Sequence, residues 1–322
     1  MPILDMSLEK LKVYRGVNPR PDDFDEFWDD QLAKMRALDP KVELIPAKFK
    51  SDIANCYDMY FTGTKESRIH AKLLIPKNIE GKMPAVLNFH GYSGESGAWS
   101  SYLGYAGSGF VVAALDSRGQ GGLSEDGGKI IGNTLRGFIT RGLLNEDVSD
   151  MYYVNAFLDT ALLAKIVMEM ECVDEERVGA YGGSQGGALT IACAALEPRI
   201  KKAAPCYPFL TDYKRTWDMD LDKDAYEDLR IFFRKFDPMH EKEEFYFTKL
   251  GYIDLQFLAP RIKADLIMFT GLLDNICPPS TQFAAYNKMT CKKEVKIFPD
   301  FGHESVGVHN DLTYEFLMEL KK

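Results

Sequence analysis

The sequence predicts an α/β fold built on a doubly wound, mostly parallel sheet. From Pro84 onward, short apolar runs alternate with longer helical stretches, which is the pattern of βαβ units. A length of 322 residues, with 46% hydrophobic and 27% charged residues, suits an ordinary globular chain of this class. We therefore expect a single domain over 1–322 with its ligand site outside the carboxyl ends of the strands.

Residues 1–80 precede this pattern and are expected to form an N-terminal helix and edge strands. Apolar residues from Phe24 to Met35 recur at spacings of three and four, which indicates a helix with one apolar stripe. Three following segments alternate in polarity or are rich in β-branched and aromatic residues: 41–45, 56–62 and 68–75. Because the links between these strands are short, we expect them to pair antiparallel at one edge of the sheet.

The core strands are predicted from buried apolar runs that follow one another along the chain: 85–89, 110–115, 178–181, 203–204, 266–270 and 295–298. Helices are expected in the intervals, around 95–107, 151–170, 187–196, 280–289 and 310–321. One interval is unusually long and aromatic, residues 207–260, with a helix predicted over 225–236. Such an insertion between core strands typically covers a site or builds an interface.

A serine stands at the sharpest turn that the sequence predicts. Gly182-Gly183-Ser184-Gln185-Gly186 matches G-x-S-x-G, which places a serine on a tight strand-to-helix turn with its hydroxyl exposed above a parallel sheet. The glycines allow strand and helix to approach closely around a residue at positive φ. An apolar strand precedes the motif and a small-residue helix follows it, so we predict that Ser184 is the nucleophile of an α/β-hydrolase.

A serine hydroxyl needs a base to take its proton and a carboxylate to orient that base. Of the five histidines, His303 lies in the loop after the last predicted strand, where this architecture presents its base. Asp274 follows the strand 266–270, although an aspartate in a turn has by itself an equally good structural explanation. The chain order Ser184, Asp274, His303 is the order found in α/β-hydrolases.

Attack on an ester carbonyl also requires two N–H donors for the oxyanion. The N–H of Gln185, at the start of a helix, is one candidate and gains from the helix dipole. The loop after strand 85–89 begins His90-Gly91-Tyr92, and we choose the N–H of Tyr92 as the second donor. His90 lies beside this donor, so we expect it to support the loop and not to act as the base.

No cofactor or metal site is predicted. A zinc-protease motif starting at His303 would need a histidine at position 307, which is Gly307. Gly119-Gln120-Gly121 follows a strand, but the third glycine of a dinucleotide-binding motif would fall on Ser124. We also expect Arg118 to be a structural clamp between loops, which is the commoner role of an arginine behind a strand end.

The charge and the cysteine content limit the possible partners and the cellular location of the protein. The net charge is −9 and there is no long basic run, so neither nucleic acid nor an anionic membrane is an expected partner. The six cysteines include no C-x-x-C pair, which favours free thiols in a reducing compartment. The start of the chain lacks a basic segment followed by an apolar one, and we expect a soluble, cytoplasmic protein.

The sequence resembles the acetyl xylan esterase / cephalosporin-C deacetylase family, carbohydrate esterase family seven. Three motifs together carry this resemblance: Arg118-Gly119-Gln120, Gly182 to Gly186 and His303-Glu304. The resemblance covers the whole chain and implies metal-free hydrolysis of O-acetyl groups from short acetylated xylo-oligosaccharides and from cephalosporin C. It also implies a cytoplasmic hexamer. Carried over by motif, the triad is Ser184, His303 and Asp274, with Tyr92 and Gln185 as oxyanion donors.

Three alternatives stay open from the sequence. A general carboxylesterase would use the same triad with a wider acyl site. A serine peptidase of the prolyl oligopeptidase type shares the sheet and the serine turn, although this chain has no room for the large N-terminal propeller of that family. A non-catalytic hydrolase-fold protein that binds sugars or partners through the aromatic insertion is the remaining alternative.

Overall fold

The computed structural model describes residues 4–78, 80–131 and 137–322, so the first three residues of the chain start considered above lie outside it. Its strands are β1 (Glu43–Pro46), β2 (Ala54–Thr62), β3 (Arg68–Pro76), β4 (Met83–Phe89), β5 (Val111–Leu115), β6 (Val173–Gly183), β7 (Lys202–Cys206), β8 (Asp265–Gly271) and β9 (Lys293–Phe298). They form one sheet in the order β1-β2-β3-β5-β4-β6-β7-β8-β9.

The described α-helices flank this sheet and build the insertion. They are α1 (Leu8–Leu11), α2 (Phe24–Arg36), α3 (Leu103–Gly107), α4 (Tyr152–Met168), α5 (Gln185–Leu196), α6 (Tyr213–Asp218), α7 (Glu227–Phe236), α8 (Glu243–Leu250), α9 (Leu255–Leu258), α10 (Pro279–Tyr286) and α11 (Gly307–Met318). Helices α6 to α9 lie between β7 and β8, in the interval that the sequence marks as an insertion. Within the described ranges, none of the helices combines the length and apolar character of a membrane span.

The strand directions confirm the predicted fold class. β1, β2, β3 and β5 pair antiparallel in turn, whereas β5, β4, β6, β7, β8 and β9 pair parallel. The parallel part of the sheet therefore carries its antiparallel neighbours at the N-terminal edge, as expected. Its parallel strands all end at one edge, so the loops that follow them meet there.

One predicted helix is much shorter than expected. In place of a helix over about 95–107, the chain forms a 3₁₀ turn at Trp99–Tyr102 and then α3. The preceding residues belong to a loop, because the N–H of Ser96 donates to Asp116 and Gly97 has a φ of +68°. Because these residues are held in a loop, the helix begins later in the chain than predicted.

Two faces of the sheet bury separate apolar clusters. Leu87 of β4 faces the cluster that includes α2, α4 and α5, whereas its neighbour Val86 faces the cluster beneath α3 and α11, because successive side chains on a strand alternate. Every residue of α5 is buried, as its apolar and small composition predicts. Helix α5 is therefore held firmly behind the serine turn.

Candidate active site

Ser184 lies between the last residue of β6 and the first residue of α5, with φ 58° and ψ −119°. This conformation is unfavourable for a residue with a side chain and persists only where its surroundings enforce it. The backbone of Ser184 is held at both ends, because its N–H donates to the carbonyl of Cys206 and its carbonyl accepts from the N–H of Phe209. The turn is thus fixed against β7 and the insertion.

The glycines of the motif permit contacts that no larger residue would allow. A Cβ on Gly186 would lie 2.0 Å from the carbonyl oxygen of Phe89, and one on Gly182 would lie 2.5 Å from the same atom. Phe89 is the last residue of β4. The start of α5 and the loop after β4 therefore touch directly, which brings the regions of Gln185 and Tyr92 together.

Asp274 and His303 come from the loops after β8 and β9. Asp274 is fully buried, and its Oδ1 accepts the N–H groups of Ile276 and Cys277 at 3.0 and 2.8 Å. Its Oδ2 lies 2.9 Å from Nδ1 of His303. The local turn orients the carboxylate, and the carboxylate in turn orients the imidazole ring.

The histidine joins the carboxylate to the serine. Nε2 of His303 lies 2.9 Å from Oγ of Ser184. Because Asp274 can only accept while ionised, Nδ1 of a neutral His303 carries the proton and donates to it, which leaves Nε2 free to accept the Ser184 hydroxyl proton. The structure thus brings together the three side chains that the sequence placed 90 and 29 residues apart.

Gln120 is a residue at this site that the sequence analysis missed. Its side-chain oxygen accepts the N–H of Ser93, which follows Tyr92, at 2.9 Å. Its Nε2 donates to Oε1 of Gln185 at 2.8 Å, and it accepts from Nε2 of Gln185 at 3.0 Å. Gln120 therefore ties together the two segments that carry the candidate oxyanion donors.

Arg118 is a buried clamp, as predicted. Its guanidinium is fully buried and donates twice to the carboxylate of Asp159, through Nε and Nη2, at 2.7 Å each. It also donates to the side chain of Thr64 at 3.0 Å. The clamp fixes the loop after β5 against α4 and the β2–β3 connection, so that Gln120, two residues on, is held in place.

Asp116 anchors the same loop from its other side. It accepts from the N–H groups of Ser96 and Leu123 and lies 2.6 Å from Nδ1 of His70. Burial opposes the charge of Asp116, but the hydrogen bonds from His70, Leu123 and Ser96 outweigh it and lower the pKa of the carboxyl well below its usual value. His90 completes the anchor, because its Nε2 accepts the N–H of Ser117 at 2.9 Å.

Aromatic rings enclose the Tyr92 side of the site. The Tyr92 ring lies 5.2 Å from that of Phe138 and 5.7 Å from that of Phe209, between centroids. Phe209 in turn contacts Tyr226 of the insertion at 4.5 Å. Phe209 and Tyr226 are fully buried, so the insertion packs firmly behind the Tyr92 side of the site.

Among the described residues, Asp274, Cys277 and His303 place potential metal-ligand atoms within 4.8 Å of one another. Cys277 is fully buried, and burial, with the charge of Asp274, raises the pKa of its thiol well above the usual value. A protonated thiol is a poor ligand, because metals bind the thiolate. Asp274 and His303 are already bonded to each other, so the donor set does not favour a cation.

Fold and site together define a carboxylic ester hydrolase of the α/β-hydrolase class. The sequence model of the acetyl xylan esterase (AXE1) family matches residues 1–320. The chain therefore belongs to the acetyl xylan esterase family.

Known relatives resemble the chain over nearly its whole length. Acetyl Xylan Esterase 1 from Thermoanaerobacterium sp. JW/SL YS485 is 55% identical with a TM-score of 0.97, covering 99% of this chain and 100% of its own. An acetyl xylan esterase from Paenibacillus sp. R4 is 34% identical with a TM-score of 0.92, covering 98% and 99%. The acetyl esterase Axe7A of Xylanibacter ruminicola is 28% identical over 98% of this chain and 70% of its own.

Proposed function

We propose that this protein is a serine esterase that removes O-acetyl groups from short acetylated xylo-oligosaccharides, and from related small esters such as cephalosporin C. The observation that carries the proposal is the hydrogen-bonded series Ser184, His303, Asp274 on a strained strand-to-helix turn. The names of its relatives, an acetyl esterase and acetyl xylan esterases, support the choice of acetyl ester and sugar.

The reaction has two balanced halves. Oγ of Ser184 forms a bond to the acetyl carbon while its proton passes to Nε2 of His303, and the carbonyl electron pair moves onto oxygen. The N–H groups of Gln185 and Tyr92 stabilise this oxyanion. As the carbonyl re-forms, the bond to the sugar oxygen breaks and that oxygen takes the proton from His303. Water then attacks the acetyl-serine by the same steps and releases acetate.

Crowding on the Tyr92 side supports a small acyl group. Phe209 follows the serine turn closely in space, because its N–H donates to the carbonyl of Ser184. Its fully buried ring packs against Tyr92, which also contacts Phe138, so the three rings form a wall of fixed aromatic groups on this side of the serine turn. Acetate fits beside such a wall more easily than a longer chain.

The experiment is a series of kcat/KM values for aryl acetate, butyrate and octanoate, together with an O-acetylated xylobiose, and with Ser184→Ala as the blank. The proposal predicts a steep fall after acetate and Ser184-dependent release of acetate from the sugar. A level or rising series would favour a general carboxylesterase. Cleavage of an aminoacyl amide would favour the peptidase, and failure of a serine-directed phosphonate to label Ser184 would favour the binding protein.

Assembly as a hexamer in the cytoplasm is part of this proposal. The resemblance described above implies the hexamer, and β1 offers an edge for contacts between copies, since Leu44 and Ile45 are 41% and 40% exposed there. All six cysteines are free, which supports a reducing compartment. Light scattering on the wild type and on Leu44→Lys tests the assembly, with a smaller particle expected for the variant.

A further inference from the structure

A cavity lies behind the serine turn, on the face of the sheet that α3 and α11 cover. Its volume is about 510 Å³, within the range of small-molecule sites. The carboxyl ends of β4, β6 and β7 form its floor, and residues at the start of α11 form one rim. Neither Ser184 nor the oxyanion loop lines it, so it is separate from the aromatic wall beside Tyr92.

The side chains of this cavity suit a neutral polyhydroxylated ligand. Four tyrosines contribute ring faces, and asparagine and serine side chains offer both donors and acceptors: Tyr105, Tyr181, Tyr207, Tyr314, Asn310 and Ser305. Among the described residues that line it there is no lysine or arginine, and Asp311 is the one carboxylate. Burial lowers the pKa of His309, so this ring is neutral at neutral pH and adds no positive charge.

Tyr105 is only 8% exposed and is one of the tyrosines that line the cavity. A phenol combines an apolar ring with a hydroxyl that can form a hydrogen bond with a ligand. Aromatic faces beside polar side chains, without positive charge, suit a sugar ring.

The position of the cavity places it near the alcohol part of the ester. In the proposed reaction the leaving oxygen receives its proton from Nε2 of His303, so the departing alcohol must lie on the His303 side of Ser184. The Tyr207 ring lies 4.7 Å from that of His303 and lines the cavity, as does Gly183, which precedes Ser184. Tyr92, by contrast, packs toward the cluster on the α4–α5 face.

We infer that the cavity between α3 and α11 binds a sugar unit of the departing alcohol, next to the one that carries the acetyl group. This inference rests on the proposed function and adds to it the place of the alcohol. It makes the enzyme discriminate between acetyl esters of oligosaccharides and acetyl esters of small aryl alcohols, which do not reach the cavity.

Two substitutions test this inference in the full-length protein. Asn310→Trp fills the rim of the cavity, and Tyr105→Phe removes only the hydroxyl of one tyrosine that lines it. We expect the ratio of kcat/KM for O-acetylated xylobiose to kcat/KM for aryl acetate to fall about tenfold or more in Asn310→Trp. In Tyr105→Phe, where one hydrogen bond is lost, we expect a fall of roughly three- to tenfold. Val308→Trp introduces the same side chain on the same helix outside the cavity and serves as the control.

A product titration gives an independent readout. Xylotriose should inhibit aryl acetate hydrolysis by the wild type, and its inhibition constant should rise in Asn310→Trp by about the same factor as the ratio falls. An unchanged ratio in both variants, or inhibition equal in wild type and variant, would overturn the inference while leaving the esterase intact. Aryl acetate hydrolysis that survives in Ser184→Ala would instead overturn the proposed function.

Discussion

The side-chain amides of Gln120 and Gln185 face each other and exchange two hydrogen bonds, at 2.8 and 3.0 Å. Tyr153 adds a third bond from its hydroxyl to Oε1 of Gln185 at 2.8 Å. Since Gln120 also holds the N–H of Ser93, this pair sets the separation between the start of α5 and the Tyr92 loop. Gln120 is therefore a positioning residue for the proposed oxyanion hole.

We predict that Gln120→Leu lowers kcat for aryl acetate about 10- to 100-fold with little change in KM, because a misplaced donor weakens binding of the transition state and not of the substrate. Affinity for a boronic acid that mimics the tetrahedral intermediate should fall by a similar factor. Tyr152→Phe removes another hydrogen-bond partner of Gln120 but leaves the pair of amides intact, so it should lower kcat by a smaller factor. A wild-type kcat in a folded Gln120→Leu protein would contradict this role.

The aromatic wall should set the acyl length. Phe209→Ala removes a ring beside Tyr92, so the preference for aryl acetate over aryl butyrate in kcat/KM should fall about tenfold. Phe236→Ala, at the exposed end of α7, is a control for loss of a phenylalanine in the insertion. If the acetate preference is the same in the wild type and in Phe209→Ala, the acyl group lies elsewhere.

The clamp of Arg118 should dominate stability in this region. Asp159→Asn removes the carboxylate that accepts two hydrogen bonds from the fully buried guanidinium and leaves only the more distant Asp126, at 3.8 Å, as a charged partner. We expect a loss of about 3 kcal/mol in the free energy of unfolding, measured with urea. Glu294→Gln in the exposed pair with Lys296 should cost about 1 kcal/mol or less. Equal effects of the two substitutions would show that the clamp is not a stabilising unit.

Asp228 of α7 should make stability depend on pH. Burial, opposed by hydrogen bonds from Thr140, raises the pKa of this carboxyl to about 7 from an ordinary value of 3.8. Because the folded state holds the proton more tightly, the stabilising contribution is full below about pH 4 and is lost as the pH rises to 7. Asp228→Asn removes this titration while keeping an acceptor for Thr140.

The measurement is the difference in melting temperature between Asp228→Asn and the wild type at pH 5 and pH 8. We expect the melting temperature of the variant, relative to that of the wild type, to be higher at pH 8 than at pH 5. Burial and the nearby Asp212 also raise the pKa of Asp254 to about 7. Because Asp254 is present in both proteins, the difference between them reports Asp228 alone. A difference that does not vary with pH would contradict a protonated Asp228 in the folded state.

Sequence reasoning reached the fold and the Ser184 turn because local constraints specify both. The spacing of the glycines around Ser184 indicates where the backbone must pack closely. The close approach of Gly186 to the carbonyl of Phe89 is one such contact. Asp274 and His303 could be predicted to lie beside Ser184 because each follows a strand of a parallel sheet, whose loops share one edge.

What the sequence could not supply are partnerships between distant side chains. Gln120 and Gln185 are 65 residues apart, and Arg118 and Asp159 are 41 apart. Only the packing of α4 and α5 against the sheet decides that these residues meet. The shortened helix near 95–107 has the same origin, because the hydrogen bond from Ser96 to Asp116 depends on how two loops are arranged.

The central claim is that Ser184 and His303 act as one unit on an acetyl ester. Its most direct test is kcat for aryl acetate in Ser184→Ala, His303→Ala and the double variant. We predict that each single change lowers kcat on the order of 10⁴-fold or more and that the double change adds little, because either loss disables the same step. Retention of the parental rate by Ser184→Ala, or multiplicative losses in the double variant, would contradict the claim.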